Sequence, residues 1–339
     1  MVDRTPRIKD LYGMRMNRIF LAVVLIFGLL VPVQGHVPLM NGGVSQGPVI
    51  IPDALKSWAI YGSIHERGEV DLYQFHLMAG DRLVLNLLVP PNSHFTPHMV
   101  VMGPGIPSHG IVPPEVQVPK GLSAMVVGGK MANMPSYEPF TPTSNVEVAD
   151  VDATVTSTGS YTVAVYGEGT GSYGLAVGYL EEFSLTEWLF VPLSVISIRF
   201  WEGQSPLLIF GPAALVLAAG LAFFIRRRHP GGPLGFRSWV GIIGGLLCIG
   251  SGINTLLQMG IALQGIPVPP EVVVTLGFAL IALLIGIASL RISSNIEPIS
   301  IRGRAKLVAL AFAGFLSWSG FLAGPVLLLI SALLPDWER

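Results

Sequence analysis

The chain has 339 residues, of which 51% are hydrophobic and only 12% are charged. A soluble domain carries roughly a quarter charged residues, so this composition, with a mean hydropathy of +0.62, indicates that lipid surrounds much of the chain. The formal net charge of -1 gives no basic footprint of the kind that binds nucleic acid. The single cysteine, Cys248, lies in an apolar run, so the first half of the chain has no internal disulfide.

Residues 1–35 have the layout of a secretory signal peptide. Basic residues precede an apolar run at 19–31, and a proline and a small residue follow it. The run is shorter than the roughly 18 residues of a spanning helix, so we expect cleavage after Gly35 rather than an uncleaved anchor. Met14 and Met16 are alternative start sites, because the residues before them add mostly polar sequence.

Residues 36–182 are predicted to form an extracytoplasmic β-domain. Apolar and polar side chains alternate here in short runs separated by Gly, Pro, Asn and Asp, which is typical of a β-sandwich. Tight hairpins are predicted between the runs 70–78 and 82–89 and between the runs 161–165 and 173–177. The predicted fold class is α+β in separate regions, with an all-β, jelly-roll-like sandwich followed by a four-helix transmembrane bundle.

The predicted strands also carry short motifs, namely Asp71-Leu72-Tyr73-Gln74-Phe75, Ala79-Gly80, Gly159-Ser160-Tyr161-Thr162-Val163 and Gly171-Ser172-Tyr173. Over residues 55–180, these motifs resemble the bacterial pre-peptidase C-terminal domain, a small jelly-roll-like β-sandwich. Domains of that family are accessory modules of secreted and surface proteins. The resemblance therefore implies a binding or stabilising role and supplies no catalytic residues. An insertion at 90–145, rich in Pro, Gly and Met, departs from the family pattern and is where we expect specific recognition.

Copper binding is a second interpretation of the exported domain. Cleavage after Gly35 would leave His36 with a free α-amine. This amine and the His36 imidazole would together form a bidentate site for Cu(II). Imidazole and thioether groups suit copper in its two oxidation states, and the insertion contains both. Surface histidines and packing methionines are the alternative explanation, because the spacing dictates no ligand set. The candidate ligands are His36, His94, His98, Met99, Met102 and His109.

The second half of the chain is predicted to lie in the membrane. Residues 183–205 are predicted to form an interfacial helix or linker, because their apolar stretch is too short to span. Each of four longer apolar runs can cross about 30 Å of hydrocarbon. These runs are 207–225, 239–263, 272–290 and 307–334. Basic residues fill the loops after the first and third runs, so we expect those loops in the cytoplasm, and the β-domain and the tail 335–339 outside.

Uncharged polar side chains interrupt the second predicted span. Asn254 and Gln258 are expected to make hydrogen bonds between helices, with a ligand path as the alternative. Glycines spaced four apart, at 241 and 245 and at 320 and 324, let helices approach closely, either within the bundle or between copies of the chain.

The expected function is that of a multi-pass cell-membrane protein that displays its β-domain for binding, or for assembly with a protein partner. The alternative is an exported copper-handling protein. A transporter or intramembrane enzyme ranks third, because no ionisable residue lies deep in a predicted span. No catalytic residue and no firm cofactor are predicted.

Overall fold

The computed structural model describes residues 35–41, 47–227, 232–295 and 298–336. Almost all of the predicted signal peptide, with both alternative start sites, lies outside the described residues, as do residues 337–339 of the predicted tail. Residues 36–339 form one compact unit that contains both the β-domain and the helices.

Two mixed sheets form the β-domain, with eleven strands in the described chain. One sheet has the order β1-β3-β11-β5-β9-β8 and the other the order β2-β4-β10-β6-β7. Pairing is parallel between β1 and β3 and between β2 and β4, and antiparallel elsewhere. The strands are β1 Val37–Met40, β2 Val49–Ile50, β3 Trp58–Ile64, β4 Asp71–Leu77, β5 Arg82–Val89, β6 His98–Gly103, β7 Ser123–Val127, β8 Ser136–Glu138, β9 Thr143–Thr154, β10 Gly159–Tyr166 and β11 Gly171–Val177.

Alternation along the strands builds the core of the sandwich. Every second residue of β4, β5, β10 and β11 turns inward, because side chains in a strand point to opposite faces with a period of two. Among the inward residues, Tyr73, Leu85, Val163 and Leu175 are at most 1% exposed. Burying such a side chain fully stabilises the fold by about 1.5–3 kcal/mol. The alternating pattern therefore predicted the sandwich and its inward faces correctly.

Both predicted hairpins are wrong, because each turn carries the chain from one sheet to the other. β4 pairs with β2 and β10, whereas β5 pairs with β9 and β11. In the same way β10 lies in the second sheet and β11 in the first. The inward side chains of these strand pairs face each other across the core. Alternation has the same appearance in both arrangements, so it does not separate a hairpin from a crossing between sheets.

Six α-helices and one short 3₁₀ turn follow in the described chain. Three of the helices, α2, α3 and α4, are long and apolar enough to cross a membrane, which confirms three of the four predicted spans. The chain is thus a membrane protein with a β-domain ahead of its helices. The helices are α1 Leu185–Trp201, α2 Pro206–Arg226, α3 Phe236–Ala262, α4 Val272–Ser293, α5 Ile301–Leu316 and α6 Ala323–Leu333, with the 3₁₀ turn Ser319–Phe321 between the last two.

The predicted fourth span is wrong as a single helix. It breaks at residues 317–322, where Trp318, Phe321 and Leu322 adopt the left-handed backbone conformation. The two halves fold back on each other, because the Arg304 guanidinium near the start of α5 donates to the carbonyls of Ala332 and Leu334 at the end of α6. α6 has 11 residues and is about 16 Å long, about half the thickness of the hydrocarbon core. We call this pair the α5–α6 hairpin.

The hairpin reverses the expected position of the chain after α6. Asp336 accepts from Arg237 Nε at 2.6 Å and from Arg304 Nη2 at 3.0 Å, so it lies beside the first turn of α3. Gln258 lies about 31 Å farther along α3. There its side chain bonds Gln204, close to the β-domain. The prediction that the tail lies on the same side as the β-domain is therefore wrong for Pro335 and Asp336.

Close helix packing uses the predicted small residues within one chain. A Cβ at Gly241 would lie 2.2 Å from Ser293 Oγ, and one at Gly245 would lie 3.0 Å from the Gly286 carbonyl. Gly320 and Gly324 both approach Cys248 of α3. These contacts confirm the prediction of packing inside the bundle. The predicted contact between copies of the chain stays a prediction.

Candidate functional site

The turn between β8 and β9 joins the β-domain to the membrane helices. Thr275 at the start of α4 donates its hydroxyl proton to the Pro139 carbonyl at 2.6 Å, so the Tyr137 hydroxyl, at 2.7 Å, donates to Thr275. The Phe140 ring packs edge-on against Phe278 and Trp318, at centroid distances of 6.0 and 6.4 Å. The turn is thus held between α4 and the tip of the α5–α6 hairpin.

Helix α1 is tied to the same turn by a buried cation. Arg199, which is 4% exposed, donates to the Thr141 carbonyl at 2.6 Å and the Pro142 carbonyl at 3.2 Å, and pairs with Glu202 at 3.0 Å. Trp201 adds a hydrogen bond from its indole to the Gly62 carbonyl of β3. A buried guanidinium needs this full set of partners, because each unpaired donor would cost desolvation energy.

A proline inside α1 creates the contact between this helix and the hairpin tip. Pro192 has no N–H, so the Trp188 carbonyl four residues earlier loses its helical donor. The Trp318 indole N–H donates to that carbonyl instead, at 2.9 Å. The two indole rings lie 4.4 Å apart, and Trp318 also stacks on Phe278 at 5.4 Å. The left-handed conformation of Trp318 thus places its ring where α1 has an unsatisfied acceptor.

These elements line a partly open cavity of about 90 Å³, which we call the junction cavity. It has room for several water molecules, because about 10–15 Å³ of such space holds one. Its walls come from the β8–β9 turn, from α1, α2, α3 and α4, and from the hairpin tip. The wall residues include Val191, Pro192, Ser251, Asn254, Thr255 and Trp318.

A polar stripe on α3 runs along one wall of the junction cavity. Ser251, Asn254, Thr255 and Gln258 recur at helical spacing and therefore share one face. Ser251 donates to the Cys248 carbonyl and accepts from the Gly320 N–H. Gln258 exchanges two hydrogen bonds of 2.9 Å with the Gln204 amide. Gln258 thus bonds the connection between α1 and α2, whereas the predicted partner was another helix.

Asn254 differs from its neighbours on the stripe. Its Oδ1 is buried and has no hydrogen-bond partner within the described residues. The side chain also lines the junction cavity. Buried polar groups in proteins are nearly always bonded to protein or to ordered water.

Two carboxyl groups near the junction hold protons more tightly than usual. Burial raises the pKa of Glu138, in β8, to about 7, although the Phe140 N–H partly opposes this by donating to its carboxylate at 3.1 Å. Burial also raises the pKa of Glu202, and the nearby Arg199 guanidinium opposes that shift. Within the described part of the chain, the junction thus brings these two carboxyl groups close to the buried Arg199 guanidinium.

The structure does not gather the predicted copper ligands into one site. Met99 packs in the main core of the sandwich, whereas Met102 packs in a second cluster on the opposite face of the sheet. His98 Nδ1 accepts from the Gly129 N–H at 2.8 Å. His94 lines an open depression beside His98.

The remaining candidate ligands lie elsewhere. His109 is exposed and bridges to Met125 through the backbone, and His36 contacts the Ser57 hydroxyl. Within the described ranges, no three His, Cys, Asp or Glu side chains lie close enough to hold a metal ion.

Sequence reasoning missed Arg199, Trp318 and the β8–β9 turn as parts of one site. The available signal was Pro192 inside an otherwise helical segment. A proline there leaves the carbonyl four residues earlier without its helical N–H donor. The partner of that carbonyl is far away in the chain, so no local pattern identifies it.

No protein-family model matches the chain, and no curated protein matches it significantly.

Proposed function

We propose that this protein holds its β-domain in a fixed position on the outer face of a cell membrane, for binding or for assembly with a protein partner. The locked β8–β9 turn is the observation that carries the proposal. Domains joined only by a linker move relative to one another. Here Tyr137, Thr275 and Arg199 connect the β-domain, α4 and α1 through partly buried hydrogen bonds. A surface presented at constant height and angle suits repeated docking of one partner.

The distribution of charge supports an extracytoplasmic β-domain. Arg226 and Arg227 end α2, Arg291 ends α4, and Arg302 begins α5. All belong to the end of the bundle that holds Asp336, opposite the β-domain. Basic residues near the ends of membrane spans favour the cytoplasm. A cleaved export signal in residues 1–35 would agree with this orientation, and the chain after α6 would then be cytoplasmic.

The resemblance to pre-peptidase C-terminal domains supports the same class of role. That family contributes accessory modules to secreted and surface proteins. In this chain the recognition surface is proposed to lie in the insertion 90–145, where Ile111 is 94% exposed and Met134 is 62% exposed. Large apolar side chains that stand this far into solvent are suited to contact with a protein.

Cross-linking in membranes, followed by purification of the full chain in mild detergent, tests the proposal. We expect one dominant cross-linked partner, with recovery lowered in Ile111→Glu. The matched control is Met78→Glu, an equally drastic change at a side chain that is 60% exposed but lies outside the insertion. The proposal is contradicted if the chain is recovered alone, with no cross-linked product from the wild-type protein or from Met78→Glu.

A further inference from the structure

We propose that the junction cavity binds one small uncharged group that carries a hydroxyl or primary amide. The group comes either from the head of a membrane lipid or from a free polyol of similar size. This inference does not depend on what the β-domain binds, because the cavity lies among the helices and the β8–β9 turn.

The unpartnered amide oxygen of Asn254 is the first reason. Its stripe neighbours Ser251 and Gln258 are fully engaged, with Gly320 and Cys248 and with Gln204 respectively. Among the described residues, Asn254 Oδ1 has no donor. An amide inside a membrane protein is costly unless it is bonded, because lipid offers neither donors nor acceptors. A hydroxyl or amide group supplies both a donor and an acceptor in one small unit.

The charges around the cavity explain why the ligand should be neutral. Arg199 lines the cavity, but its guanidinium already binds Glu202 and the carbonyls of Thr141 and Pro142. The Glu202 carboxylate also accepts from Gln204. A charged ligand would have to break this arrangement or remain unpaired at low dielectric, and both are unfavourable. A neutral group that bonds Asn254 disturbs neither partner.

The position of α1 explains why a lipid is a natural source. Val191 and Pro192 of α1 form one wall of the cavity. On the outer face of the same helix, Phe190 is 51% exposed and Leu193 is 45% exposed. On this side a single helix separates the cavity from its surroundings. A lipid lying beside α1 is thus one helix diameter from Asn254.

Thermal unfolding of the full chain in nanodiscs tests the inference. Wild-type protein is compared in phosphatidylcholine discs, in discs that also contain phosphatidylglycerol, which ends in a glycerol diol, and in phosphatidylcholine discs with free glycerol. The test variant is Asn254→Leu, which keeps a helix-forming side chain of similar size and removes the amide. Ser289→Ala is the matched control, because Ser289 is a buried helical hydroxyl of α4 that bonds the Ile285 carbonyl away from the cavity.

We expect wild-type and Ser289→Ala proteins to gain thermal stability from at least one probe, and Asn254→Leu to bind that probe about tenfold more weakly, as expected for one lost hydrogen bond. A gain with phosphatidylglycerol alone identifies a lipid, and a gain with glycerol alone identifies a free polyol. If every gain persists in Asn254→Leu, or if neither probe stabilises the wild type, the inference is wrong. Thr255→Val provides the same comparison if Asn254→Leu does not fold.

Discussion

Replacing Arg199 with methionine tests whether the β-domain is locked to the helices through a buried cation. The change removes the ion pair with Glu202 and two hydrogen bonds to carbonyls of the β8–β9 turn. Glu202 keeps only 10% of its side chain exposed, so its carboxylate would be left buried without its cation. Removing one partner of a buried pair costs about 3–5 kcal/mol. At about 2–4 °C per kcal/mol, the expected fall in Tm is about 6–20 °C.

A second variant separates the orphaned charge from the lost hydrogen bonds. Arg199→Met combined with Glu202→Gln removes the uncompensated carboxylate but still leaves the two carbonyls without donors. We expect it to recover most of the loss and to remain about 1–3 kcal/mol less stable than wild type. The matched control is Arg82→Met, which breaks an exposed pair with Asp152 in which both side chains are about half exposed, and which should leave Tm unchanged. The reasoning is refuted if Arg199→Met unfolds at the same temperature as Arg82→Met.

Four further outcomes are expected. Because burial raises the pKa of Glu138 from 4.5 to about 7, its contribution to stability is complete below pH 4.5 and lost as pH rises through 7; Glu138→Gln should remove this part of the pH dependence of Tm. Gly286→Ala should destabilise by about 1–3 kcal/mol, because its Cβ would lie 2.5 Å from the Gly245 carbonyl, whereas Gly260→Ala, with open space around it, should not lower Tm. A C-terminal epitope should be reached by antibody only after permeabilisation, while the β-domain is reached in intact cells; equal access would contradict the hairpin. The copper alternative requires one copper per processed chain, measured by elemental analysis and lost in His36→Ala, and an empty protein after copper loading would exclude it.

Hydrophobic pattern predicted the parts of this fold that depend on burial alone. The inward faces of β4, β5, β10 and β11 follow from alternation, and α2, α3 and α4 follow from length and hydropathy. Pattern did not predict which sheet each strand joins, because a turn within one sheet and a turn between facing sheets bury the same side chains. The reversal of chain direction within 307–334 was not predicted either. The apolar run continues without interruption through Trp318, where the backbone turns back.

The candidate site was predictable only in part. Asn254 and Gln258 stood out because polar groups in an apolar span need partners, and the structure supplies one for Gln258 through Gln204. Arg199 and Trp318 were not predicted as a pair, because their contacts to the β8–β9 turn and to α1 join segments far apart in the chain. Such contacts depend on tertiary packing, which propensity and periodicity do not record.

The α5–α6 hairpin also has a consequence for biosynthesis. Synthesis proceeds from the N-terminus, so this hairpin is the last of the described elements to be made. Until it inserts, the Trp188 carbonyl lacks the indole donor and Ser251 lacks the Gly320 N–H. A nascent chain that has completed α4 therefore carries a β-domain and three spans around an open, polar gap. The last two segments of the described chain therefore supply the donors that complete α1 and α3.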